Sequence, residues 1–511
     1  MKNIFQQVEL RRPPMNTFDL SHDRKMSLKM GELVPICVME CVPGDTFHIQ
    51  VSSMSRMAPL IAPIMHQLTV YKHFFFVPNR ILWANWEDFI TGGEDGQDAT
   101  AAPYLNYRGT IATSLTDYMG LPDSSGAENV RVSALPFAAY NKIYNEYYRD
   151  QNLITEVRDA LLNGDNSANF GDFTTIRKRA WMHDYFTSAL PWTQKGPEAT
   201  IPLGSTAPVV YADPTNNNLL PQIKDQTTGA LYSGNIDVAS GFIRTSGGGT
   251  LKYIDPVSSL ETDLSSATAA TIIDLRNAFR LQEWLEKNAR GGSRYIESIY
   301  AHFGVKSPDA RLQRPEFLGG GTAKMAISEV LQTSESATGG NTPQANMAGH
   351  GIAVGGSTNF RHYCHEHGYI IGIMSIMPKT AYQQGFPKHF LKLDKFDYYW
   401  PEFAHIGEQP IENKELFYTS DNQNDAIFGY TPRYAEYKYV PSTVHGEFRS
   451  SLNTWHMGRI FATRPALNQS FIECDATTRI FAVTEDEQIY SHVFNRVHAK
   501  RPMPYFGNPT F

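Results

Sequence analysis

The stretch LVPICVMECVPGDTFHIQVSS, residues 33–53, sets the architecture. Its first half is rich in β-branched and apolar residues and ends at Pro43-Gly44-Asp45, a turn signal. Its second half, TFHIQVSS (46–53), alternates apolar and polar side chains, the pattern of a strand with one face buried. Two strands across a turn are expected here. Outward from this pair of strands, LTVYKHFFFV (68–77) is a third strand, bounded by Pro78-Asn79. TAKMAISEVL (322–331), GYIIGIMSIM (368–377), GRIFATR (458–464) and IYSHVFNRVHA (489–499) complete the set. Strands near both ends, with helical material between, indicate one β-scaffold whose loops have grown.

The chain's 511 residues exceed the ~250–300 at which a single core stops growing, so long insertions or further domains must absorb the excess. Hydrophobic residues at 41% and charged residues at 19% describe a folded protein. A formal charge of −7 excludes a uniformly basic nucleic-acid binder but leaves room for a local basic patch. Cys37, Cys41, Cys364 and Cys474 are too few for a disulfide framework, and no pair has zinc-ribbon spacing. A reduced compartment is therefore expected. MKNIFQQVELRRPP lacks the apolar run of a signal peptide, and no apolar stretch is long enough to span a bilayer.

Helical character appears in NWEDFI (85–90), ALPFAAYNKIYNEYYRDQ (134–151), TIIDLRNAFRLQEWLEKNAR (271–290) and RYIESIYAHFG (294–304). The third has a Thr271/Asp274 capping pattern, a Gly291-Gly292 stop and an apolar face at positions 272, 275, 278, 279, 285 and 289. The second packs Tyr140, Tyr144, Tyr147 and Tyr148 into one short run. Such rings suit a boundary that is dry on one side and wet on the other, so these four are candidate subunit-interface residues. Residues 196–270, rich in Gly, Ser, Thr, Asn and Pro with short β-like islands, have the composition of a surface-exposed insertion.

Three patterns bear on chemistry. His362-Tyr363-Cys364-His365-Glu366-His367 offers zinc-ligand types, which raises a metal-dependent hydrolase on a β-sandwich as the alternative function. If the segment continues the following strand, alternation splits these side chains between two faces, so four ligands cannot converge from it alone. The glycine clusters at 246–248, 319–321 and 349–356 lack phosphate-loop spacing and are expected to be flexible loops. No acid/base pair of carboxylates stands out, so neither a catalytic residue nor a cofactor is assigned. The third pattern is basic and aromatic together. Arg496, His498, Lys500 and Arg501 accompany Tyr505 and Phe506 near the C-terminus, and Arg11 and Arg12 lie near the N-terminus. Cations that neutralise phosphate beside rings that stack on bases make these candidate nucleic-acid contacts. A glycan-binding site in the 196–270 insertion is a further possibility.

Longer strings are more specific. FFFVPNRILWANWEDFITGG (74–93), LPFAAYNKIYNEYYRDQNL (135–153), DLRNAFRLQEWLEKNARGGSRYIESIYAHFGVKSPDARLQRPEFLGGG (274–321), HGYIIGIMSIMPKTAYQQGFPKHF (367–390) and GEFRSSLNTWHMGRIF (446–461) resemble the major capsid proteins of the Microviridae, the small single-stranded DNA phages. The insertion resembles that of the gokushovirus-like branch, where it forms an external protrusion. The resemblance implies a mainly β chain: one viral eight-stranded antiparallel jelly roll over residues 1–511 with long, partly helical inter-strand insertions. It implies pentamers and a T = 1 icosahedral shell around circular single-stranded DNA, assembled in the bacterial host cytoplasm. The implied partners are an internal scaffolding protein, a minor DNA-pilot protein, and a host surface receptor met through the insertion.

Overall fold

The computed structural model describes residues 14–109, 113–122, 129–197, 199, 209–211, 223–225, 236–239, 242–245, 252–254, 260–262, 272–292, 294–333 and 346–506. The chain divides into two compact units, one of residues 1–193 and 288–511, the other of residues 194–287.

Among the described residues, the two main sheets of the larger unit are made of ten strands: β1 (Asn16–Asp19), β2 (His22–Leu28), β3 (Val34–Cys41), β4 (Thr46–Met57), β5 (Leu68–Pro78), β6 (Glu316–Lys324), β7 (Ala326–Leu331), β8 (Met347–Tyr363), β9 (Gly368–Pro378) and β10 (Ile489–Arg501). One antiparallel sheet runs β1–β10–β4–β8–β7, with β2 also paired to β10; the other runs β6–β5–β9–β3. The pairing is nested. β5 pairs with β6, β4 with β8, β3 with β9 and β2 with β10, as in one long hairpin rolled into two facing sheets. That is a mainly β, jelly-roll-like fold.

Local chemistry fixes the β3–β4 turn. Gly44 takes φ +92°, open to glycine at little cost, and the buried Asp45 carboxylate accepts the Val42 N–H at 3.0 Å. β4 then alternates buried and exposed residues along its length, so the first sheet has one wet face. The second sheet differs. On β5 the run Phe74–Pro78 is buried throughout, as is nearly all of β9. Phe74, Phe76, Ile370, Met374 and Ile376 face the sandwich core with Phe47, Ile49, Val51 and Val497. Phe75, Val77, Ile371 and Ile373 face the other way, against Trp83, Leu105, Phe137, Tyr140, Ile143 and Tyr144. The chain between β5 and β6 supplies this second layer. A third cluster joins Ile154, Tyr185 and Phe186 to Tyr382, Ile411, Phe428 and Phe471, which come from the excursion between β9 and β10.

In the smaller unit, three short antiparallel pairings are described, also nested: 209–211 with 260–262, 223–225 with 252–254, and 236–239 with 242–245. A long helix, labelled αL (Ile272–Gly291), follows them in the chain. Salt-bridged Arg280 and Glu283 (2.6 Å) support it along its surface. Its apolar face is exposed at Ile272, Leu275 and Phe279, and Ala289 is buried. Thr271 lies outside the described residues.

Several expectations require correction. Residues 458–464 form no strand; the Arg459 N–H donates to the Ala381 carbonyl at 2.8 Å and its guanidinium lies 4.1 Å from the Phe471 ring centre, so side-chain anchoring replaces a ladder. The 322–331 segment is broken at Met325, because β6 and β7 belong to different sheets. Glycines 319–321 and 349–356 lie within β6 and β8 rather than in loops. Close packing explains the second: a Cβ on Gly349 would come 2.7 Å from Pro63 Cα. The 246–248 cluster lies outside the described residues.

Lys72 on β5 is fully buried in the sandwich. Its Nζ donates to Ser53 Oγ and to the Gly355 carbonyl, both at 3.0 Å, the latter where β8 slips register against β4. Burial lowers its pKa from 10.5 to about 8. The folded value lies below the unfolded one, so the unfolded chain holds more protons between these limits and stability rises with pH across that window. Urea unfolding from pH 8 to 10.5 is expected to show this rise, of up to roughly 3 kcal/mol. Lys72→Met should flatten it, and an unchanged slope in that variant would refute the assignment.

Candidate nucleic-acid interface

The wet face of the first sheet is generated by alternation. On β10 the odd positions from Ile489 to Ala499 point into the sandwich, while Tyr490, His492, Phe494, Arg496, His498 and Lys500 point out. On β4 the outward set is His48, Gln50, Ser52, Met54 and Arg56. Register then places these in rows. Asp19, His498, His48 and Arg361 lie side by side across β1, β10, β4 and β8. Arg496, Gln50 and Asn359 form the next row; Lys25, His492 and Met54 another; Tyr490 and Arg56 a further one. Neighbours within a row are close enough for their charges and rings to act on one ligand.

This face carries Lys25, Arg56, Arg361, Arg496 and Lys500 in exposed positions, opposed by Asp19 and Asp23 on the β1–β2 side. Asp19 is held below the usual carboxylate range first by hydrogen bonds from the Ser21 hydroxyl and N–H, then by the nearby charges of His498 and Arg496. Asp23 lies 3.4 Å from the His492 imidazole. A chain that is acidic overall therefore concentrates cations, with Tyr490 and Phe494 among them, on one sheet face.

The structure separates the residues singled out in the sequence. Arg496, His498 and Lys500 share the wet face. Arg501, one residue further, turns to the opposite side, where its guanidinium meets the buried Asp45 carboxylate at 3.1 Å and the Glu40 carbonyl at 2.7 Å. Tyr505 and Phe506 are exposed beyond the strand, and Tyr505 stacks on Phe18 with ring centres 5.9 Å apart. Arg11 and Arg12 lie outside the described residues. His48, Arg56, Arg361 and Lys25 were absent from the sequence-derived set; the period-two alternation of β4 and β10 was the signal that links them.

The four tyrosines are occupied within the chain. Tyr140 is fully buried in the helix Leu135–Ile143, donates to the Leu33 carbonyl at 2.8 Å and accepts from Arg177 N–H at 3.0 Å. Tyr144, Tyr147 and Tyr148 follow in a π-helical turn. Tyr148 is hydrogen-bonded to His73 at 2.8 Å, and Tyr147 donates to the Pro315 carbonyl at 2.6 Å beneath the Arg314 guanidinium. Burial pushes all four hydroxyls to higher pKa, Tyr144 to about 12.

The His362–His367 segment does not run straight into the following strand; its first two residues end the preceding one. β8 ends at Tyr363 and residues 364–367 turn into β9. His362 packs against Phe76, Glu366 is bound by Arg80 through two 3.1 Å hydrogen bonds, and the His367 ring meets Trp86. Among the described residues no three His, Cys, Asp or Glu side chains come together as a metal-binding group.

The chain has a mainly β, jelly-roll-like fold: a rolled double sheet with large inter-strand excursions and a cation-rich face. It belongs to the capsid protein (F protein) family, whose match extends over residues 6–511. It is 38% identical to capsid protein VP1 of Bdellovibrio phage phiMH2K, over 99% of this chain and 97% of that one. Identity is 34% to capsid protein VP1 of Chlamydia phage 1, over 100% and 98%, and 34% to that of Spiroplasma virus 4, over 97% and 95%. The chain is a major capsid protein of a small phage, resides in the virion and assembles with copies of itself. The hydrolase alternative finds no support in these relationships. In the described residues no helix is long and apolar enough to cross a membrane.

The opposite orientations of Lys500 and Arg501 predict opposite phenotypes. Arg501→Ala leaves the Asp45 carboxylate buried without its partner and should cost about 3 kcal/mol in thermal unfolding. Lys500→Ala, on the wet face, should stay within about 0.5 kcal/mol. Equal losses would overturn the placement.

Proposed function

We propose that this chain forms a T = 1 icosahedral shell enclosing circular single-stranded DNA, with the β10–β4–β8 wet face turned inward against the genome. The observation that carries this reading is the in-register array of Lys25, Arg56, Arg361, Arg496 and Lys500 on one face of an acidic chain. Phosphate contact at such a face offsets repulsion from the rest of the protein, and Tyr490 and Phe494 offer sequence-tolerant stacking. The role is structural, with no catalytic step of its own. Residues 1–511 act as one jelly-roll capsid domain, and the 196–270 insertion is its outward protrusion and the place where a host receptor is met. An internal scaffolding protein and a minor DNA-pilot protein complete the assembly.

Subunit contact falls best on the β9–β10 excursion. Phe390, Leu393, Phe396, Tyr398, Tyr399 and Trp400 are exposed together along a short segment, Leu393 at 93%. Apolar surface of this density is costly in a free monomer and is covered when copies associate.

Two measurements test the proposal. Arg496→Ala with Lys500→Ala should reduce the slope of log affinity for single-stranded DNA against log salt by about 0.7 for each phosphate no longer neutralised. An unchanged slope with normal genome content in assembled particles removes the DNA role. Leu393→Asp with Trp400→Asp should leave the chain folded by circular dichroism but stop it sedimenting as pentamers or shells; normal assembly places the subunit interface elsewhere.

A further inference from the structure

The two turns at one end of the sandwich, 42–45 between β3 and β4 and 364–367 between β8 and β9, are laced together. Gly44 N–H donates to the Cys364 carbonyl and Cys364 N–H to the Asp45 carbonyl, each at 2.9 Å. This brings together two thiols far apart in sequence. Cys41, the last residue of β3, and Cys364, the first residue after β8, are both fully buried in the same core cluster, with thiols close enough to act on each other. His362 hydrogen-bonds to Cys364 and packs on Phe76, and its Nε2 is buried without a hydrogen-bond partner. All four cysteines are free thiols.

We propose that Cys41 and Cys364 are an oxidisable pair that closes to an intramolecular disulfide in an oxidising medium, locking the two turns to each other. The oxidant is a small disulfide such as oxidised glutathione. Cys364 is the attacking thiol: the interaction with Cys41 and the adjoining His362 lower its pKa, whereas burial keeps Cys41 protonated. Its thiolate attacks one glutathione sulfur, the glutathione S–S bond breaks, and a glutathione thiolate leaves. Cys41 then attacks Cys364 Sγ, expelling the second glutathione thiolate. The two thiol protons pass to the departing thiolates, so two cysteines are oxidised and one glutathione disulfide is reduced to two thiols. Access requires opening of the laced turns, a local event rather than global unfolding. Cys37 lies deeper on β3 and Cys474 in a separate cluster with Trp181 and Met377, so neither competes.

The test uses the full chain as assembled particles, incubated with oxidised glutathione, alkylated in denaturant and digested without reduction. The expected result is a peptide joining Cys41 to Cys364, with Cys37 and Cys474 alkylated. Cys364→Ser should abolish the link, and His362→Gln should slow its formation several-fold. Alkylation of all four cysteines after oxidation, glutathione retained on Cys364 without closure, or a Cys41–Cys37 link would each overturn the proposal. The wild-type digest decides this even where a variant fails to fold.

Discussion

Adjacent residues on β5 point to opposite sides, yet both sides are dry: Phe74 and Phe76 face the sandwich and Phe75 faces away from it, all of them buried. A sheet apolar on both faces cannot stand in water, so something must cover the second face. The excursion after β5 does this with the helix Leu135–Ile143 and its tyrosines. The insertions are therefore not decorations on a finished roll. They complete its hydrophobic layering, and the tyrosine hydroxyls find backbone carbonyls, a histidine and a carboxylate at the edges of that layer.

The two sheets thus divide the work. In the β6–β5–β9–β3 sheet the central strands β5 and β9 are committed to the fold on both faces. The β10–β4–β8 sheet gives one face to the core and keeps the other in solvent, where its charged side chains, Arg56, Arg361, Arg496 and Lys500, are cations. A polymer of phosphates is better met by a flat array of alternating strand positions than by any single motif, which is why the proposed role rests on sheet registry rather than on a cluster of catalytic groups.

Much of the fold was legible from the sequence because short-range signals carried it. Pro43-Gly44-Asp45 and the alternation of 46–53 located β3, β4 and the turn between them, and the apolar run 368–377 located β9. Resemblance of long strings, not periodicity, supplied the jelly roll, since nested pairing such as Glu316 with Phe76 is a long-range fact. The misread segments share one cause. Gly349 is in a strand because Pro63 approaches it, and 458–464 is irregular because Arg459 is anchored on Phe471; both depend on neighbours outside the local pattern. In the candidate site, Arg496, His498 and Lys500 were legible as a basic run, whereas Arg361 and Arg56 joined them only through register. Arg501 was grouped with Lys500 by adjacency, although strand alternation sends the two to opposite faces.

The nesting of strands also has a temporal side. The outermost pairs join β1 and β2, near the start of the chain, to β10, near its end, and β10 lies between them and β4 in the sheet. A ribosome must therefore release nearly the whole polypeptide before that sheet can close, and until then one edge of β4 offers unpaired N–H and C=O groups to any passing strand. High contact order makes closure slow as well. The emerging chain thus passes its synthesis as an incomplete sheet, and copies crowded on one message meet while their edges are still open.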